Sequence, residues 1–260
     1  DIPKWINTGI NKVLGIDISR DNIENGSDGA YARTIQRVKD KNYKYIYVSL
    51  DSSKKLNQEY ISSISNESDK IVYHTIWGLK DGDQNSKYYN FVQDKFNIVS
   101  CQFSLHYFFE NETKFKNFIW NVNEYIKENG YFIGTCLDGS TVRNSLSKIK
   151  KGESITGKIN DRVLWNIKKL YTEKDKDIFG QEIEIFMESI GKVAKEYLVD
   201  FKVLEDELKT YNIRILPFDE LKKIDLSQSY DSFESSYEKS NERFKLSDEE
   251  KKYSFMNNWF

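Results

Sequence analysis

The chain has little cysteine. Its two residues, Cys101 and Cys136, each lie within an apolar run, and no CxxC pair or Cys/His cluster accompanies them. That speaks against a metal site or a disulfide framework, and the expectation is two reduced core thiols and no bound metal. No apolar stretch approaches the roughly 20 residues that span a bilayer, and no signal peptide opens the chain. A soluble, intracellular protein with no membrane partner is expected. Neither sign of charge dominates, with 39 Lys and Arg against 41 Asp and Glu. This argues against a protein that coats nucleic acid non-specifically through a strongly basic face, but leaves open a local pocket for a small anionic group. Proline and alanine are scarce beside Lys, Asn, Ile and Tyr, a bias consistent with an AT-rich genome and silent about chemistry.

Aromatic residues make up 15% of the 260, which argues against disorder, and the length allows one large domain or two small ones. The first half alternates as βαβ units do. Val13 to Ile18 reads as a short buried strand, and Ser19 to Asp40 as two helical stretches with a Gly-broken middle. Tyr43 to Leu50 is the next strand, and residues 54–95 hold the polar turn KDGDQNS with two short helices around it. Phe96 to Phe103 is a third strand. Helical spacing of Phe115, Phe118, Ile119, Val122 and Ile126 follows, ended by Asn129-Gly130, and Tyr131 to Leu137 is a fourth strand. This is an α/β parallel sheet. After residue 150, ITGKIND, RVLWNIKKLY and EIEIFMESI read as antiparallel strands. Phe201 to Tyr211 reads as a helix and IRILPF as a last strand. Ser227 to Lys252 is polar and charged, a solvated surface segment or a flexible insertion with SxxE and SDEE helix starts.

Chemistry is expected at the carboxyl ends of the parallel strands. Asp17 closes VLGID, where an acid can accept from both hydroxyls of a ribose; it can equally cap the following helix. Asp51 closes YVSLD one strand later, where it can accept from an adenine amino group or serve as another cap. The third strand runs into CQFSLHYFFE. There Gln102, His106 and Tyr107 gather polar groups among aromatic walls, as a flat, partly cationic ligand needs, although a lone His in such surroundings is more often a satisfied core residue.

CQFSLHYFFE resembles the CQFxxHYxFE signature of eukaryotic and viral mRNA cap guanine-N7 methyltransferases, and that signature is highly specific. DIPKWINTGINKVLGIDIS is similar to the stretch after the family's glycine-rich loop, YVSLDSSKKL to its adenine-binding turn, and NGYFIGTCLDG to its next strand. KEYLVDFKVLEDELKTYNIRIL resembles the segment in which a Glu precedes a helix and a strand. Most of residues 1–218 is covered, and the character is that of a large DNA virus. The resemblance implies a Rossmann-like class I fold, dependent on S-adenosylmethionine, as a single methyltransferase domain over 1–260 with an antiparallel cap-binding insertion at 150–195 and a polar surface segment at 227–252.

Residue by residue, it implies that Asp17 holds the cofactor ribose and that Asp51, with Ser52, holds its adenine edge. Gln102, Phe103 and Tyr107 line the methionine end. His106, Tyr107 and Glu196 recognise the cap guanine, and Lys4 and Arg33 lie near the cap phosphates. No nucleophile or general base is implied, because guanine N7 already carries an exposed lone pair; catalysis is positioning. The implied partners are the capped 5′ end of mRNA and triphosphatase and guanylyltransferase domains on the same or a partner chain, in the cytoplasm, a viral factory or a virion. The chain begins where the family's glycine-rich loop ends and stops before its last strand, so a fragment of a longer polypeptide is expected. The competing expectations are another class of S-adenosylmethionine-dependent methyltransferase and a catalytically silent module that binds caps or stimulates a partner.

Overall fold

The computed structural model describes residues 2–39, 42–172, 177–240 and 245–260. Asp1, two residues of the Ser19–Lys41 crossover, four of the 150–195 segment and four of the 227–252 segment lie outside that description. The chain divides into two compact units, Asp1–Lys95 and Phe96–Phe260.

In the first unit α1 (Ile2–Asn7) precedes β1 (Lys12–Asp17), α2 (Arg20–Glu24), α3 (Ala30–Arg37) and β2 (Lys44–Ser49). β1 and β2 pair in parallel from Lys12↔Lys44 to Asp17↔Ser49, which requires the crossover that α2 and α3 supply. Ser19 caps α2 by accepting from the Asn22 amide, and Gly29 separates the helices where a Cβ would lie 2.6 Å from the Asn25 backbone. Tyr45, Ile46, Tyr47 and Val48 are all buried, and Gly15 leaves room for the Tyr47 ring on the neighbouring strand. The helices expected around KDGDQNS both precede it: a 3-10 turn at Gln58–Ser63 and α4 (Glu67–Ile76). Residues 80–86 fold back on the end of α4, where the Asp83 amide donates to Thr75 Oγ1 at 2.9 Å.

The second unit opens with β3 (Phe96–Gln102), a 3-10 turn (Leu105–Glu110), α5 (Glu112–Tyr125) and β4 (Ile126–Leu137), and β3 and β4 are parallel. Asn129-Gly130 does not end the helix. α5 stops at Tyr125, and Asn129, at φ 59, sits where the β3–β4 register slips, so the pair marks a bulge. α6 (Gly139–Ser145) leads into β5 (Ser154–Ile159), β6 (Arg162–Lys169), β7 (Glu182–Met187) and β8 (Lys192–Tyr197), an antiparallel sheet in sequential order. β8 has no strand signal in the sequence because half of its residues are exposed, the rest are only partly buried, and they show no clean alternation.

α7 (Phe201–Thr210) follows, then α8 (Phe218–Leu221), β9 (Asp231–Ser232), α9 (Phe233–Lys239), α10 (Asp248–Ser254) and β10 (Asn257–Trp259). The strand expected over IRILPF does not form. Pro217 has no amide to give a ladder and instead sits at the start of α8. β10 pairs antiparallel with Thr135–Leu137 of β4 and with β9. Parallel pairs joined by helices, closed by an antiparallel strand, bear out the Rossmann-like α/β class.

Two apolar clusters fill this unit. One packs Leu105, Phe109, Phe115, Phe118, Ile119 and Val122 against Cys101 and Cys136. The other sets Val142, Trp165, Ile167, Ile183, Leu198 and Met256 together. Ser247 and Glu250 form a capping box on α10, and Trp165 Nε1 donates to the Glu249 carbonyl at 2.8 Å, tying that helix to the antiparallel sheet. Gly157 makes this possible: a Cβ there would stand 2.1 Å from Trp165 Nε1. Gly157→Val is therefore expected to displace the indole and lower stability by about 1–3 kcal/mol, read as an earlier urea midpoint; an unchanged midpoint would contradict this packing.

Candidate functional site

In the first unit the two strand-end acids lie on adjoining strands, joined where the Leu50 amide donates to the Asp17 carbonyl at 3.1 Å. Asp17 Oδ1 accepts from the Ser19 amide (2.8 Å) and Oδ2 from Asn22 Nδ2 (3.0 Å). Asp51 Oδ1 accepts from the Ser53 amide (2.9 Å) and from Ser53 Oγ (2.6 Å). Neither acid is itself a helix cap, since Ser19 caps α2 and a turn follows Asp51. That turn is anchored by aromatics. The Asp51 amide donates to the Tyr60 hydroxyl at 2.8 Å, and Tyr60 continues a stack through Tyr73 to Trp77. Each carboxylate has about four acceptor positions, so capacity for further donors remains. Ser52 is half-buried beside Asp51, while Lys4 on α1 and Arg33 on α3 are exposed.

In the second unit the chain turns sharply after β3. Phe103 takes φ 50, an uncommon conformation for a bulky residue that costs about 1–3 kcal/mol, and its amide is held by the Thr135 carbonyl at 2.8 Å. Leu105 and Phe109 then bury completely and carry His106, 4% exposed, inward with them. Tyr107 stays 47% exposed with its ring 4.2 Å from the His106 ring. Gln102 is exposed, donating to Ser100 Oγ (2.9 Å) and accepting from Thr135 Oγ1 (2.9 Å).

Glu196, on β8, brings Oε2 to 3.4 Å from His106 Nδ1. His106 Nε2 is buried with no hydrogen-bond partner among the described residues. Burial disfavours the charged form of both groups, holding the imidazole down to about 4 and pushing the carboxyl up to about 7. The distance is that of an ion pair, but desolvation wins: between those values imidazole and carboxyl are both neutral. The structure thus joins His106, Tyr107 and Glu196 at one place and leaves Gln102 and Phe103 on the adjoining strand end; Lys4, Asp17, Arg33, Asp51 and Ser52 belong to the first unit.

Two neighbours were not found from the sequence. Tyr253 of α10 has its hydroxyl well above the usual tyrosine range through burial, with the Glu196 charge adding to it. Phe233 of α9 meets the Phe103 ring edge-on at 6.2 Å. Both lie in a charged stretch where a single aromatic carries no periodic signal.

Parallel strand pairs joined by helices, one in each unit, define an α/β protein of the Rossmann-like class. The description of one family, the mRNA (guanine-N(7))-methyltransferase domain, matches residues 1–256, and the chain belongs to that family. It is 29% identical over 214 residues to the probable mRNA-capping enzyme of Acanthamoeba polyphaga mimivirus, a match that takes in 80% of this chain and 18% of that protein. It is 24% identical over 216 residues to the mRNA cap guanine-N(7) methyltransferase of Schizosaccharomyces pombe, 83% of this chain and 50% of that one. The chain thus spans half or less of the length of these two relatives. Among solved structures, the CcbJ methyltransferase from Streptomyces caelestis aligns over 97% of this chain and 74% of its own, at 10% identity and a TM-score of 0.47.

The neutral pair has a pH signature. In the unfolded chain the two groups return to their ordinary 6.5 and 4.5, so between those values it carries a charged His and a charged Glu. Folded and unfolded states then bind equal numbers of protons, and the pair adds no slope to stability over that window. In Glu196→Gln only His106 remains. Its lowered value gives stability that is present above pH 6.5 and lost as pH falls towards 4. Urea unfolding from pH 6.5 to 4.5 is expected to show the variant losing stability relative to the parent; parallel curves would contradict the neutral pair.

Proposed function

We propose that the chain supplies the domain that transfers a methyl group from S-adenosylmethionine to N7 of the guanosine capping the 5′ end of mRNA. The observation that carries this is the buried His106–Glu196 contact beside the half-exposed Tyr107 ring, with His106 and Tyr107 inside the segment that resembles the family signature. Guanine presents N1–H and N2–H donors on one edge, and a desolvated carboxylate is a strong acceptor for them. Binding of those donors would draw Glu196 into its ionised form. Tyr107, half-exposed against the His106 ring, offers a ring face for stacking.

The cofactor supplies a methyl on a positively charged sulfur. The residues fit such a group: Asp17 and Asp51 keep acceptor capacity for ribose hydroxyls and an adenine amino group, with Ser52 beside them. Gln102, Phe103 and Tyr107 are taken to line the methionine end, and Lys4 and Arg33 to lie near the cap phosphates. N7 needs no base to expose its lone pair, so these residues work by holding N7 in line with the methyl and keeping water out. Alignment of this kind is worth up to roughly 7–11 kcal/mol. The capped 5′ end of mRNA is the partner this reading requires. Action in the cytoplasm, beside triphosphatase and guanylyltransferase domains, is supported by the likeness to a longer capping enzyme.

Capped RNA and labelled cofactor, incubated with this chain and with the longest polypeptide that contains it, are expected to yield label at guanine N7. Glu196→Ala or Tyr107→Ala should lower transfer by orders of magnitude with the fold intact by circular dichroism. Near-normal transfer by both variants would sink the assignment. Because Glu196 binds guanine as a carboxylate, KM for capped RNA should fall as pH rises through 7 in the parent and be flat in Glu196→Gln.

A further inference from the structure

The turn that joins α6 to β5 carries Lys148, Lys150 and Lys151, and all three side chains are exposed. Elsewhere in the second unit exposed cations are drawn into ion pairs, as in Lys114–Glu110, Lys168–Glu184, Lys195–Glu182 and Lys252–Glu249. Among the described residues these three ammonium groups have no such partner. The acid of the turn, Glu153, is engaged by the backbone instead, its Oε2 accepting from the Lys150 amide at 2.7 Å.

Hydrogen bonds and packing fix the turn in one place. Ile149 packs into the apolar cluster around Val142 and Trp165. The Glu153 amide donates to the Lys150 carbonyl at 3.0 Å, and the Gly152 amide, at φ 92, donates to the Lys169 carbonyl at 2.7 Å. Lys169 of β6 is 2% exposed, and its Nζ donates to the Leu146 and Ile149 carbonyls, each at 3.2 Å. A buried ammonium is costly unless its donors are satisfied, so Lys169 and the carbonyls of the turn hold each other in position.

The turn stands at the end of the antiparallel sheet that also carries Glu196. Lys169 pairs with Ile183 and Ile183 with Glu196, so the three side chains form one row on one face. Two strand spacings, about 10 Å, separate the Lys169 and Glu196 backbones. With a net charge of −2 the chain as a whole does not attract a polyanion, so any attraction is local to this turn. Lysine is a point charge on a flexible stem with no fork to match one planar group. Three of them side by side suit a chain of phosphodiesters, met without regard to base sequence.

We propose that this turn holds the phosphodiester backbone of the RNA that follows the cap, while the guanine occupies the site at His106, Tyr107 and Glu196. The inference rests on the cap methyltransferase reading, and its test separates the two. Binding of an uncapped, fluorescently labelled single-stranded RNA is followed by anisotropy over a series of potassium chloride concentrations. KM for methyl transfer is measured with the same RNA capped and with the dinucleotide GpppG. Both use the longest polypeptide that contains this chain.

The variant with Lys148→Ala, Lys150→Ala and Lys151→Ala together is expected to bind the RNA about tenfold more weakly, or worse, at about 0.1 M salt. Its slope of log Kd against log salt should be lower by about 2, since each contact to a single-strand phosphate contributes about 0.7. KM for capped RNA should rise by a similar factor and KM for GpppG should stay at the parent value. Arginine at the same three positions keeps the charge and should restore binding. An unchanged Kd and slope in the alanine variant, or an equal rise in KM for capped RNA and GpppG, overturns the inference while leaving the main reading standing. Parent binding to phosphatidylserine vesicles that the alanine variant loses, with RNA binding unchanged, assigns the turn to an anionic membrane and overturns it as well. No methyl transfer by the parent to capped RNA or GpppG overturns the main reading itself, while Kd for the RNA still reports on the turn.

Discussion

Burial of Leu105 and Phe109 is the constraint on which the second unit's site depends. Both side chains are fully inside, against Phe115 and Ile119 of the following helix. Sealing such groups is worth about 1.5–3 kcal/mol each. His106, which follows Leu105 directly in the chain, goes inward too, although an unpartnered buried nitrogen costs about 1–3 kcal/mol. The apolar gain exceeds that cost, so a polar ring is held where it would not go by itself. Tyr107, one residue on, faces outward for the same geometric reason.

The same logic explains the neutral His106–Glu196 pair. β8 delivers Glu196 to the buried imidazole at a place where water is excluded, so neither group gains enough from the other to stay charged. A site built in this way is poised for a ligand that brings its own donors. The opposite arrangement governs the first unit, where Asp17 and Asp51 are half-exposed and hold local turns through hydrogen bonds to the amides two residues on. There the strand register and an aromatic stack set the positions, and desolvation has little part.

Much of this was legible in the sequence. Short apolar runs marked β1 to β4 within a residue or two, except that β4 starts earlier, and the spacing of Phe115, Phe118, Ile119 and Val122 marked the helix that covers them. Ser247 and Glu250 announced a helix start by composition alone. The misreadings have a common cause. IRILPF has strand character, but Pro217 has no amide for a ladder and opens α8, and the edge of β4 pairs with β10 instead. Asn129-Gly130 has stop-signal chemistry that serves equally for a bulge. In each case the local preference was real and a pairing made by distant residues decided its use.

Order along the chain therefore determined the class of fold, the strand-end acids and the aromatic segment at Cys101 to Glu110, because each is written in contiguous residues. Tertiary structure alone decided that Glu196, 90 positions beyond His106, meets its ring. It also decided that α9 and α10 pack rather than trail in solvent, and that Phe233 and Tyr253 reach the site's surroundings. These are contacts between elements far apart in the chain, and they are selected by the burial of shared apolar surface, which has no period or spacing from which to read them.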